Sequence, residues 1–190
     1  MTPPTPVLLL RHFDRPLDDT RQGAGLLPRG RDRAAALCSD AAAGAFLDRG
    51  GAVVVHVSPF RRCMESVAPL ARSLGAAVVV DARLGEHPVE APLDHSAARR
   101  DAALHFRGLR VELSLPGAPR DAAHETAGQL RHRCEAYVRD RLAPGGAARA
   151  AVVVCSHQST LRVLSGLLGC AGDFARMGDM VRLDLVESTM

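Results

Sequence analysis

Four short apolar runs punctuate the chain: Val7–Leu10, Val53–Val57, Val78–Val80 and Val152–Cys155. Each is Leu-rich or β-branched and bounded by Gly, Pro or Ser, a pattern that predicts strands buried on both faces. A further run, Val181–Val186, alternates apolar and polar residues and predicts an edge strand. The segments between them read as helices. Arg29 to Phe46 is Ala-rich and follows Pro28, and Arg61 to Leu74 places Met64, Val67, Leu70 and Leu74 on one stripe. Ala122 to Leu142 carries Leu130, Cys134, Val138 and Leu142 at near-helical spacing, and Ser159 to Leu168 is a shorter apolar helix ending at Gly169. Strands alternating with helices imply βαβ units. The predicted fold is therefore α/β, a three-layer sandwich with a mainly parallel sheet and helices on both faces.

The stretch from Asp81 to Arg120 departs from this rhythm. It holds four prolines and three histidines with weak periodicity, and reads as a lid or insertion over the sheet. With no repeat and no low-complexity linker, the expectation is a single domain over 1–190 with 81–120 as that lid.

Composition changes the picture only by exclusion. Hydrophobic residues make up 47% and charged residues 24%, as in an ordinary globular domain. All 24 basic residues are Arg, beside abundant Ala, Gly and Pro, which suggests a biased coding composition. An arginine must then be judged by position, not number. The net charge of +3 and the absence of a basic block argue against a nucleic-acid partner. Cys38, Cys63, Cys134, Cys155 and Cys170 are scattered, odd in number and never spaced CxxC, which suits a reducing cytoplasm better than a disulfide framework or zinc site. No apolar stretch approaches the roughly 18 residues of a membrane span, and no signal peptide is evident.

Three of the predicted strands end in chemistry. The first runs into Arg11-His12-Phe13-Asp14-Arg15, the second into Ser58-Pro59-Phe60-Arg61-Arg62, and the last through Cys155 into Ser156-His157-Gln158-Ser159. In an open parallel sheet the carboxyl ends of the strands line the ligand crevice, so the three clusters are expected to converge. They would bring together two histidines, several guanidiniums and helix N-termini whose free N–H groups favour anions. Arginine's planar fork pairs bidentately with phosphate oxygens. No one of these dipeptides is diagnostic alone, and of Arg61 and Arg62 one is expected merely to be solvated; the convergence makes the case for a phosphate pocket.

Rival chemistries fit less well. His12, Asp14 and His157 are possible metal ligands, but a pocket ringed by arginines repels a cation, and neither HExxH nor HxH spacing occurs. No metal or other cofactor is expected. The chain lacks GxxxxGK[ST] and GxSxG, which speaks against a P-loop and against a serine nucleophile.

The same residues resemble the histidine phosphatase (phosphoglycerate mutase-like) superfamily, in its order and over most of the chain. Leu8-Leu9-Leu10-Arg11-His12 is similar to its opening RH motif, and Leu27-Pro28-Arg29-Gly30-Arg31 to the L-T-x-x-G that opens the first helix. Ser58-Pro59-Phe60-Arg61-Arg62-Cys63-Met64-Glu65-Ser66 resembles S-P-L-x-R-A-x-Q-T, and Leu84-Gly85-Glu86 the L-x-E that carries an acid. His124-Glu125-Thr126, followed by Arg133, resembles the E-[ST] start of a late helix, and Ser156-His157 the second catalytic histidine.

The resemblance implies a phosphatase in which His12 is the nucleophile and becomes phosphohistidine. Arg11, Arg62 and His157 would grip the phosphoryl oxygens, and Glu86 would protonate the leaving oxygen and then activate water, with Asp14 the alternative acid. Arg15 stands where RHGxR members place another phosphate arginine. His157-Gln158-Ser159-Thr160-Leu161 is similar to the H-A-S-S-L of the Sts-like phosphatases rather than the H-G-G of mutases. Phe13 replaces the usual glycine after RH and is expected to narrow the pocket or alter the backbone near the nucleophile. After Glu86 the family's G-x-W/F-E-G gives way to His87-Pro88-Val89-Glu90, so hydrolysis of a phosphorylated small molecule or phosphoprotein is expected over mutase chemistry. The alternatives are a phosphoglycerate mutase-type phosphotransferase and a degenerate binding or assembly module.

Overall fold

A computed structural model of the chain describes residues 4–48, 51–87, 92–115, 125–142, 150–170 and 172–185. Its centre is a six-stranded sheet of β1 (Thr5–Arg11), β2 (Ala52–Val57), β3 (Ala77–Asp81), β4 (Val111–Ser114), β5 (Ala150–Ser156) and β6 (Met180–Leu185), ordered β4-β3-β2-β5-β1-β6. All neighbours pair in parallel except β6, which runs antiparallel along β1. The α/β expectation holds, and the alternating run near the C-terminus is an edge strand; Val186 lies outside the described residues.

Strand alternation builds a core on each face. Leu8 and Leu10 of β1, with Val55 and Val57 of β2, pack against α1 (Pro28–Ala36), α3 (Arg61–Leu74) and α4 (His95–His105). Val7 and Leu9, with Val152 and Val154 of β5, pack on the other face against α5 (Ala127–Tyr137) and α6 (Gln158–Leu167). The four β1 side chains are fully buried, each worth about 1.5–3 kcal/mol relative to exposure.

Helix α3 spans the predicted Arg61–Leu74 and ends where Gly75 takes a left-handed conformation at φ 58°. Met64, Val67 and Leu70 of its stripe are buried, whereas Leu74, at the helix end, is 39% exposed. The predicted Arg29–Phe46 helix is broken: α1 closes in a 3-10 turn at Leu37–Ser39, and α2 (Ala41–Leu47) restarts after Asp40. Asp40 is extended, and its carboxylate accepts from the Ala43 N–H, so a side chain that caps a new helix interrupts the old one. Helix α5 begins at Ala127 behind a Thr126–Gln129 capping box; residues 122–124 of the predicted helix lie outside the described residues.

The stretch read as a lid supplies part of the frame. Within 81–120 lie α4 and β4, which extends the sheet by pairing with β3; residues 88–91 and 116–120 are outside the described residues. Among the described residues no helix is long and apolar enough to cross a membrane.

Candidate active site

The chain leaves β1 and β2 toward one face of the sheet and β5 toward the other, so a crevice opens at the carboxyl edge of these neighbouring strands. His12 follows β1, Ser58 follows β2, and His157 follows β5 as the N-cap of α6. The imidazoles of His12 and His157 meet edge to face with centroids 5.3 Å apart, and both are buried. Nδ1 of His12 lies 2.8 Å from the Phe13 carbonyl, which can only accept; Nδ1 therefore carries the proton and Nε2 keeps its lone pair. Burial pushes the His12 pKa down to about 3; the carbonyl bond opposes this, while Arg62, Arg11 and Arg15 add to it. Burial, then the Arg62 charge, likewise hold His157 well below the usual imidazole range.

Three guanidiniums lie close enough to bear electrostatically on His12. Arg62, in the first turn of α3, is fully buried, donates to the Arg21 carbonyl at 2.9 Å, and is ion-paired with Glu86. Arg11 donates to the carbonyls of Phe174 (2.8 Å) and Ala175 (2.6 Å), and burial lowers its pKa. Arg15 spends one nitrogen on the carbonyls of Pro16, Leu17 and Asp19. The buried Nε atoms of Arg11, Arg15 and Arg62, with Nδ1 of His157, have no hydrogen-bond partner among the described residues. A crevice that gathers unpaired buried donors suits a multiply charged oxyanion.

Glu86 points into this crevice, its Oε2 3.5 Å from Nδ1 of His157. The backbone that carries it is clamped. Arg133 donates to the carbonyls of Arg83, Gly85 and Glu86, Ser156 Oγ to Leu84 O at 2.7 Å, and Thr160 Oγ1 to Gly85 O at 2.7 Å. Arg133 is itself held by Glu125, at 2.6 and 3.0 Å. Those bonds and the Arg133 charge bring the Glu125 carboxyl below its ordinary range against the upward push of burial. Four consecutive carbonyls are thus tied to the segment bearing His157 and to α5.

Asp14 is turned away from this group. It pairs with Arg33 (2.8 Å) and Arg29 (3.2 Å) of α1, and these bonds outweigh burial and keep its pKa low. The packing explains Gly30: a Cβ there would sit 2.4 Å from the Asp14 carbonyl oxygen. The ring of Phe13 joins the core cluster shared with α1 and α3, with the Arg33 guanidinium 5.1 Å from its centroid. What Phe13 contributes to the crevice is backbone: its carbonyl meets His12, and its amide donates to Ser66 Oγ at 2.9 Å.

Sequence reasoning missed the supports. Ser66 and Thr160 lie inside quoted motifs, but nothing in their spacing shows what their hydroxyls hold. Phe60 lies edge-on to His157 (centroids 4.8 Å) with the Arg62 guanidinium 4.5 Å from its ring centre. The 174–175 carbonyls under Arg11 have no one-dimensional signal; Phe174 takes φ 50°, a left-handed conformation held by burial.

Buried neutral histidines make stability pH-dependent. The folded pKa values of about 3 for His12 and about 4 for His56 lie below the unfolded value near 6.5. The unfolded chain therefore binds more protons in that window, and stability, full above pH 6.5, falls as acid is added. Unfolding free energy should drop by about 2 kcal/mol or more between pH 7.5 and 4.5. A flat denaturation profile over that range would show that neither imidazole is buried neutral.

A family model of the histidine phosphatase superfamily (branch 1) matches residues 7–182. The bifunctional protein Rv2228c of Mycobacterium tuberculosis and the protein Mb2253c of Mycobacterium bovis are each 32% identical over 186 residues, 96% of this chain. The chain spans 48%, about half, of the length of each. Among solved structures, a protein described as mycobacterial hydrolase 1 superposes with a TM-score of 0.61 at 20% identity, covering 95% of this chain and 89% of that one. An ecdysone phosphate phosphatase from Bombix mori, in complex with tungstate, gives 0.57 at 15% identity, covering 94% and 88%. A mycobacterial glucosyl-3-phosphoglycerate phosphatase gives 0.55 at 22%, covering 94% and 89%. At such identities these likenesses show a shared fold. With the family match running from the first strand to the last, the chain belongs to the histidine phosphatase superfamily.

Proposed function

We propose that the protein hydrolyses phosphomonoesters, without a metal ion, through a phosphohistidine on His12. The observation that carries this reading is the His12 Nδ1 bond to the Phe13 carbonyl, which leaves Nε2 unprotonated in a crevice of unpaired arginine donors. A neutral imidazole so oriented can attack phosphorus, and Arg11, Arg15, Arg62 and His157 can take up the charge spread over the equatorial oxygens. Glu86 protonates the leaving oxygen and then removes a proton from the water that attacks the phosphohistidine. Guanidiniums supply here the positive charge that a metal supplies elsewhere. The substrate is a phosphorylated small molecule or phosphoprotein, and the protein acts in the cytoplasm.

The test is turnover of an aryl phosphate, then of a panel of metabolites and phosphopeptides, with and without EDTA. Phosphate release that survives EDTA supports the reading; activity abolished by EDTA and restored by a divalent cation overturns it. Transfer of phosphate between two positions of a phosphoglycerate would indicate a mutase, and no turnover of any substrate a binding module. Vanadate should also inhibit competitively and raise the melting temperature, because it binds only the folded state. Vanadate that leaves both unchanged would show that the crevice is no anion pocket.

A further inference from the structure

His157 can serve a phosphate group only if the nitrogen facing that group carries a proton. A neutral imidazole has one N–H, and the other nitrogen is an acceptor that repels an oxyanion. Nδ1 of His157 is the nitrogen on the crevice side, 3.5 Å from Glu86 and without a hydrogen-bond partner among the described residues. Nε2 points back into the protein, 2.9 Å from Ser58 Oγ and 3.5 Å from Cys63 Sγ.

The Ser58 hydroxyl is fully buried, and its oxygen already accepts from the Phe60 N–H at 3.4 Å. A buried hydroxyl uses its proton, and the acceptor within reach is Nε2 of His157. The reverse arrangement, Nε2–H donating to Ser58, leaves the serine proton without an oxygen or nitrogen acceptor among the described residues. The Cys63 thiol lies near the same nitrogen and also contacts the Cys155 thiol. The backbone keeps the hydroxyl in place, since Ser58 N–H donates to Cys155 O at 3.0 Å at the end of the β2–β5 pairing. Phe60, edge-on to the ring, restrains its plane.

We infer that Ser58 is a positioning residue: by donating to Nε2 it fixes His157 in the Nδ1–H tautomer and aims that N–H at the phosphoryl group. The inference rests on the reading of this crevice as a phosphate pocket. It also sets the two histidines in complementary roles, since both carry the proton on Nδ1. In His12 that leaves Nε2 free to attack, and in His157 it turns a donor toward the group attacked.

Long-range ¹H–¹⁵N spectra of the histidine side chains test this in the wild-type protein, in Ser58→Ala and in Ser58→Thr, each with and without inorganic phosphate. Wild type should show His157 protonated on Nδ1. Ser58→Ala should lose that preference and weaken competitive inhibition by phosphate about tenfold, the scale of a hydrogen bond to a charged group. Ser58→Thr, which keeps the hydroxyl, should restore both. An Nε2–H His157 in wild type overturns the inference even if no variant folds. An unchanged tautomer and unchanged inhibition in Ser58→Ala overturn it as well. If phosphate shifts neither His12 nor His157 signals in wild type, it is the phosphate-pocket reading that fails, whichever tautomer is seen.

Discussion

His12→Ala is expected to eliminate phosphatase turnover while leaving the fold in place. Loss of a covalent nucleophile costs orders of magnitude, and the donors left behind bind a phosphate but cannot attack it. The structural cost is small yet real. His12 is 1% exposed and packs against His157, so the variant opens a void and loses the bond to the Phe13 carbonyl. That cost is about 1–3 kcal/mol, and circular dichroism with a melting curve would separate it from loss of chemistry. Brief reaction with a labelled substrate, followed by alkaline quench, should trap label on the wild type and none on the variant. A variant that retains more than about a tenth of the wild-type rate would contradict nucleophilic catalysis.

Glu86→Gln is expected to show a dependence on the leaving group. An alkyl phosphate departs as a strongly basic alkoxide and needs a proton; a nitrophenolate departs nearly unaided. The kcat/KM for alkyl phosphates should fall by about 10²-fold or more, the usual scale for general acid catalysis, and that for nitrophenyl phosphate by much less. The comparison belongs on kcat/KM, because slow hydrolysis of the phosphohistidine can limit kcat for both substrates. Glutamine keeps the size of the side chain and can still accept from Arg62, although the ion pair becomes a neutral contact. Equal losses on the two substrates would mean that Glu86 serves to hold Arg62, and no loss on either would make it a bystander. Asp14 is a weak replacement as acid, since Arg29 and Arg33 hold its carboxylate against α1, whereas Glu86 lies beside His157.

These two experiments concern residues that were visible one-dimensionally, and the reason is local. A strand buried on both faces must be an apolar run, and a parallel strand must deliver whatever follows it to the carboxyl edge. His12, Arg62 and His157 each lie within five residues after a strand, so their convergence follows from strand identity alone. Helix α3 was legible for the same reason, having an apolar stripe and a glycine stop within its own sequence.

What the tertiary structure decided lies where partners are distant or signals short. Strand β4 has four residues and no long apolar run; only pairing with β3 makes it a strand. The break between α1 and α2 turned on one carboxylate choosing to cap rather than to lie along a helix. Asp14 and Glu86 are both acids near the crevice in sequence terms. Packing gave Asp14 to the arginines of α1, and gave Glu86 to Arg62 and His157 through carbonyls clamped by residues 47 to 75 positions away. The residue types and their order determined that two histidines and several arginines would gather at one edge of the sheet. Which carboxylate lies beside His157 is set by several hydrogen bonds across the fold, and the Nδ1 proton of His12 by the neighbouring Phe13 carbonyl; no periodicity along a chain encodes either.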